Sequence, residues 1–160
     1  MFLGLDQSYN SFGYVMLDAQ LNMVDFGTIK TKKTDGDHFD RCNIIATKIN
    51  EYAKMHNPTA IAIEGLAFGI RGDATRDLAG LQFVIMTLFR NNGFNPSIIP
   101  PLTLKKFATG NGKADKVAMA NALPPEVLLS FQNKNYKKTT GLYDLSDAYF
   151  LAKHAATINK

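Results

Sequence analysis

The chain has 160 residues, 46% of them hydrophobic and 20% charged, a length that suits one packed domain over residues 1–160 and is short for two. A formal net charge of +4 is too modest to identify a nucleic-acid binder unaided, and a single cysteine, Cys42, excludes an internal disulfide or a cysteine-rich zinc site. No apolar run is long enough to cross a bilayer and Met1 leads straight into a strand pattern, so the expected setting is the cytoplasm, without a membrane partner.

The stretch Phe2–Ser8 reads as an opening strand whose last residue before a tight turn is Asp6, and Phe12–Leu17 as a second strand running back beside it. Met23–Ile29 alternates as a third strand, joined through Asp18–Gln20, so an antiparallel meander opens the fold. Lys30–Asp37 is a polar loop. From His38 to His56, Phe39, Cys42, Ile45, Ile49 and Tyr52 recur at helical spacing and are expected to face the sheet, with Cys42 as a core residue.

Thr59–Gly65 is an apolar run without a polar face, as in a central strand covered on both sides, and it too ends in a carboxylate, Glu64. The Gly-rich stretch from Leu66 to Asp77 holds Phe68, Arg71 and Arg76. A loop Phe usually anchors itself to the core, but one beside arginines can stack on an unpaired base. The helix expected over about Ala74–Asn92 is apolar around most of its circumference. It needs a second cover, either a copy of itself in a two-fold dimer or burial between the sheet and the C-terminal helix.

Pro96–Pro100 makes a short fifth strand, and Thr103 is expected to cap the helix that follows. Thr109–Lys116 is a Gly-containing turn whose backbone N–H groups, with Lys113 and Lys116 beside them, would suit a phosphate; it lacks the spacing of a Walker loop. A helix follows from Asp115, a short segment covers Glu126–Phe131, and the last helix is expected to start at Asp144. Asp144 and Asp147, three apart, then project from one side of its first turn. Lys105, Lys106, Lys113, Lys116, Lys134, Lys137 and Lys138 concentrate positive charge in this last third.

Asp6, Glu64, Asp144 and Asp147 each sit at the end of an element, where a fold can bring them together. Four carboxylates at about 4 Å would repel by roughly 4 kcal/mol per pair even at an effective dielectric of 20. Such a group persists only when protonated or bound to cations. Hard oxygen ligands suit Mg2+ or Mn2+, and two such ions can clamp an in-line displacement at phosphorus.

Gly4-Leu5-Asp6 with Gly13-Tyr14, Ile61-Ala62-Ile63-Glu64, Lys105 with Thr109–Lys116, and Asp144–Ala148 resemble, in order and spacing over nearly the whole chain, the successive motifs of the RuvC Holliday-junction resolvases. The resemblance implies an α/β, RNase H-like fold: a five-stranded mixed sheet, antiparallel meander then parallel strands, flanked by helices. It also implies a homodimer that hydrolyses phosphodiester bonds in four-way and other branched DNA, using four acidic residues with Mg2+. Catalytic and metal-binding roles then fall on Asp6, Glu64, Asp144 and Asp147, and DNA-contacting or catalytic-support roles on Lys105 and Lys116. Together with the basic residues nearby, the expected DNA-contacting set is Phe68, Arg71, Arg76, Lys105, Lys106, Lys113 and Lys116. Cellular members usually follow the first Asp with Pro-Gly. Gln7-Ser8 stands here, more similar to the RuvC-like endonucleases of lactococcal phages, for which the setting would be the host cytoplasm.

Rival readings keep the same carboxylates: an RNase H-like nuclease acting on RNA–DNA hybrid or transposon ends, or a junction-binding protein without catalysis. Actin-like kinases share the Gly-Leu-Asp opening but need a second domain, for which the chain is too short.

Overall fold

The strands β1 (Phe2–Asp6), β2 (Phe12–Leu17), β3 (Met23–Ile29), β4 (Ala60–Glu64) and β5 (Ser97–Ile99) form one sheet in the order β3-β2-β1-β4-β5. The computed structural model describes residues 1–66 and 72–158. β1 pairs antiparallel with β2 and parallel with β4; β2 pairs antiparallel with β3, and β4 parallel with β5. This is the mixed sheet of the RNase H-like fold. Six α-helices and one 3-10 turn (Lys33–Asp35) complete the described chain, the α-helices being α1 (His38–His56), α2 (Asp73–Asn91), α3 (Pro101–Thr109), α4 (Lys116–Asn121), α5 (Pro125–Asn133) and α6 (Leu142–Ile158). None of them is long and apolar enough to cross a membrane.

The two-residue period of the strands divides the core into two layers. Leu3, Leu5, Met16, Ile61 and Ile63 point to one face, where Cys42, Ile45 and Ile49 of α1 and Leu81, Ile85 and Phe89 of α2 cover them. Val15, Leu17 and Ala62 point to the other, against Leu145, Ala148, Tyr149 and Ala152 of α6, with Leu104, Met119 and Phe131 of α3–α5 behind. β1 and β4 are thus buried on both faces, as their unbroken apolar sequences require.

Several expectations need correction. α2 packs against α1, on the face of the sheet opposite α6, so it is not sandwiched between the sheet and the C-terminal helix. Its buried stripe leaves Phe83 75% exposed and Val84 open as well. Phe39 is 85% exposed, in the first turn of α1, whereas the neighbouring Arg41 is only 4% exposed and takes the inward position. α3 begins at Pro101, two residues before the expected Thr103 cap, and α5 at Pro125. In both cases a proline with fixed φ starts the helix, where its missing N–H is not needed. α6 begins at Leu142, so Asp144 and Asp147 lie in its first and second turns.

Candidate active site

The parallel register of β1 on β4 pairs Phe2 with Ala60 through to Leu5 with Ile63. One further step puts Asp6 beside Glu64 at the carboxyl end of both strands, where open α/β sheets place their sites. On the other side of β1, Asp6 pairs with Gly13 of β2. α6 crosses both strands there, because neither Gly4 nor Gly13 carries a side chain that would hold it off. The helix thereby delivers Asp144 and Asp147 to the same place, and all four carboxylates line one cavity of about 720 Å3.

Asp6, Glu64 and Asp147 each offer an oxygen within 4.8 Å of the others. Asp144 lines the cavity but is outside that triad. Burial pushes the Asp6 carboxyl well above the ordinary range, and the charges of Glu64, Asp147 and Asp144 push it further. Asp147 is raised to about 7, first by burial and then by Glu64, against the pull of Lys105 and Lys116. Glu64 is raised by burial, while a hydrogen bond from Asp6 and the same two lysines oppose the rise. The hydrogen bond between Asp6 and Glu64 and the raised carboxyls both favour a proton held between the two when no cation is near. Ionised together at such separations, each pair would repel by roughly 3 kcal/mol or more at an effective dielectric of 20.

The donor set fits a hard divalent cation: convergent carboxylate oxygens open to a cavity, with neither Cys nor His in the converging group among the described residues. Gln7 adds to the fit. It is buried, its Nε2 donates to the Glu64 backbone oxygen at 2.9 Å, and its Oε1 has no partner among the described residues. Gln82 of α2 donates to the same backbone oxygen at 3.1 Å, so two amides from separate elements fix the end of β4.

Lys105 and Lys116 line the cavity. Lys116 starts α4, whose N-cap Asp115 accepts from the Ala118 N–H at 2.8 Å. Lys106 and Lys113 do not join them; they line a separate open cavity with Phe107 and His154. Several of the N–H groups in the turn before α4 are used within the turn itself. The Asn111 N–H is taken by Thr109 Oγ1 at 3.1 Å, that of Lys113 by Asn111 Oδ1 at 2.9 Å, and that of Ala114 by the Asn111 oxygen at 3.1 Å. Arg76 is exposed and sits 3.1 Å from Asp73 in the first turn of α2, apart from the residues lining the carboxylate cavity. Phe68 and Arg71 lie outside the described residues.

Tyr9, Asn10, Lys33, His38 and Arg41, which belong to none of the sequence motifs, also line the carboxylate cavity. One signal was available for Arg41. It stands four and eight residues before Ile45 and Ile49, on the apolar stripe of α1, where an arginine needs a reason.

The sequence model of the family described as "Crossover junction endodeoxyribonuclease RuvC" matches residues 2–152. A crossover junction endodeoxyribonuclease RuvC of Brachyspira hyodysenteriae is 30% identical over 120 residues, 73% of this chain and 74% of that protein. In fold, the chain is similar to Thermus thermophilus RuvC, with a TM-score of 0.74 at 18% identity, covering 98% of this chain and 94% of that one. It is also similar to T. thermophilus RuvC in complex with a Holliday junction substrate, with a TM-score of 0.72 at 18% identity, over 95% and 91% of the two chains. With a family match that runs through all four carboxylates and nearly the full length of the sheet-and-helix framework, this chain belongs to the RuvC crossover junction endodeoxyribonuclease family.

Proposed function

We propose that the chain is a metal-dependent, structure-specific endodeoxyribonuclease that resolves four-way DNA junctions and other branched DNA, with residues 1–160 forming one nuclease domain. The observation that carries this reading is the carboxylate triad: oxygens of Asp6, Glu64 and Asp147 within 4.8 Å of one another in a chain of the RuvC family. Asp6, Glu64 and Asp147 are its metal ligands, with Asp144 at the edge of the same cavity completing the set. Two Mg2+ ions, replaceable by Mn2+, are the proposed cofactor; when bound they supply an activated water and charge stabilisation for the departing 3′ oxygen.

The protein's own part is to bring these groups into one place. Asp6 and Glu64, held at adjacent strand ends, would hold the cations as carboxylates once their proton is lost. Gln7 and Gln82 keep the Glu64 backbone from moving as that charge changes. Lys105 and Lys116 bring positive charge to the cavity wall, where it can hold the scissile phosphate and favour the ionised carboxylates. In-line attack of water at phosphorus breaks the P–O3′ bond and leaves a 3′ hydroxyl and a 5′ phosphate.

Lys106, Lys113 and Arg76, with Phe68 and Arg71, extend the DNA-contacting surface outside the cavity. A homodimer would offer two such cavities to the paired strands of a junction. Gln7-Ser8 in place of Pro-Gly supports a phage-type enzyme with broad branch specificity, acting in the host cytoplasm. The test is to incubate purified protein with labelled four-way, three-way, flap, linear and RNA–DNA hybrid duplexes, with and without Mg2+. Branched DNA should be cut only with the metal, and Asp6→Asn should abolish cutting while keeping junction binding. Equal cutting of hybrid, or unchanged cutting by the variant, would overturn the assignment.

A further inference from the structure

The carboxylate cavity holds a second basic group. Lys105 and Lys116 are the cations that act on Glu64 and Asp147, whereas Arg41 and Lys33 line the cavity beside Tyr9, Asn10 and His38. Arg41 is a buried charge whose partners among the described residues are neutral. Its Nε donates to Thr31 Oγ1 at 2.9 Å, one Nη donates to Asn10 Oδ1 at 2.7 Å, and the guanidinium lies over the Tyr9 ring, 5.4 Å from its centre. Thr31 Oγ1 in turn donates to the Tyr9 backbone oxygen, which fixes the hydroxyl with a lone pair toward Arg41.

Among the described residues no carboxylate lies within 4.0 Å of Arg41, and no Asp or Glu occurs at 67–71 or 159–160. The acid on the adjacent cavity wall, Asp77, is already engaged by His38 Nδ1 at 3.0 Å. A buried cation is ordinarily paired, since neutral hydrogen bonds orient it without cancelling its charge. The guanidinium has five N–H donors, and those not used by Thr31 and Asn10 are not sealed orphans. An anion reaching this cavity would complete the pairing.

We infer that Arg41, with Lys33, binds a DNA backbone phosphate flanking the bond to be cut, and that Thr31 and Asn10 are positioning residues that aim the guanidinium. The inference rests on the nuclease reading, because it takes the anion to be the strand already held at the carboxylates. A phosphate suits the recess better than a base edge. It carries its charge on the outside of a strand, whereas a base would have to leave its stack to reach a recessed guanidinium.

The experiment measures binding of labelled four-way junctions of several sequences across a range of salt, on the Asp6→Asn background so that the DNA stays intact. Arg41→Gln should weaken binding by about tenfold or more, equally for every sequence, and flatten the slope of log Kd against log salt by about one. Arg41→Lys should recover part of the slope. Lys33→Ala, at an exposed position that leaves the core alone, should also flatten the slope by about one. Thermal melts identify any variant that fails to fold, and Lys33→Ala decides the matter if Arg41→Gln does. Unchanged slopes in the folded variants, or losses confined to particular sequences as expected of a base contact, would overturn the inference. Wild-type protein that cuts no branched DNA would instead overturn the nuclease reading, leaving the phosphate site to be judged by the binding slopes.

Discussion

A Cβ on Gly4 would stand 2.0 Å from the carbonyl oxygen of Ala148 and 2.3 Å from the backbone nitrogen of Ala152, so α6 rests directly on the bare backbone of β1. Gly13 does the same on β2, where a Cβ would meet the Asp144 carbonyl oxygen at 2.7 Å. These two positions set the height at which α6 carries Asp144 and Asp147 past Asp6. Because the clashing atoms are backbone, no rotamer change can relieve them.

Gly4→Ala is therefore expected to destabilise the protein by about 3 kcal/mol or more, the upper part of the range for overpacking. Gly13→Ala, nearer the start of α6, should lose less stability but displace the carboxylates, so that Mg2+ no longer raises the melting temperature. Urea midpoints and melts with and without the metal separate the two effects. A Gly4→Ala protein as stable as wild type would mean that α6 sits higher than described.

A second expectation concerns pH. The folded Asp147 carboxyl is raised to about 7 from an ordinary 3.8. Folded protein thus holds a proton that the unfolded chain releases between those values, and the stabilisation present at low pH is lost as pH rises toward 7. Asp147→Asn removes that loss. In the absence of metal, the variant should melt above wild type at pH 8 and much closer to it at pH 4, with each kcal/mol worth about 2–4 °C. Adding Mg2+ at pH 8 should raise the wild type and reverse the order. A gap that does not change between pH 4 and pH 8 in EDTA would remove the physical basis for this reading.

How far the sequence reveals this site depends on whether each residue's position is set by local pattern or by packing. Asp6 and Glu64 are legible because each ends an apolar run that can only be a strand, and β1 and β4 then align them by register. Asp144 and Asp147 are legible as a pair from helical spacing, although the helix starts two residues earlier than its first Asp suggests. What is not legible depends on tertiary contacts. Phe39 follows the helical period yet lies outside the core, because Arg41 fills the inward position and takes its partners from Thr31 and from Asn10 in the β1–β2 turn. The Thr109–Lys116 turn has the composition of a phosphate loop, but its own Thr109 and Asn111 side chains take the N–H groups of Asn111 and Lys113. Gln82 reaches Glu64 only after α2 has docked.

The exposed side of α2 gives a third expectation. Phe83 is 75% exposed, and with Gln82, Met86, Thr87, Arg90 and Ile98 it borders a depression of about 260 Å3. Large exposed aromatics beside an open apolar surface are what a self-associating face presents. The protein should sediment as a dimer at micromolar concentration, and Phe83→Asp should make it monomeric without lowering its melting temperature as a monomer. Met55→Asp, which alters an equally exposed residue on α1, should leave the mass unchanged. A monomeric wild type would rule out this face as the dimer contact.

Lys116 offers the sharpest separation of metal binding from catalysis, because its two effects have opposite signs. Its charge lowers the Glu64 and Asp147 carboxyls, and by the same field it opposes the arrival of a divalent cation. Removing it should make the site more negative and tighten Mn2+ or Mg2+ binding a few-fold at a pH high enough to have removed the proton shared by Asp6 and Glu64, whereas below that pH the same loss favours the proton. The same substitution deprives the scissile phosphate of a cation. Cleavage measured under single-turnover conditions with saturating metal should therefore fall by on the order of ten- to a hundredfold. Lys116→Gln is the natural variant, since the side chain is exposed at the first turn of α4 and the Asp115 cap is left in place. If the lysine merely supported the local fold, its loss would lower metal affinity and cleavage together. Tighter metal binding with slower cutting would instead assign it to the substrate.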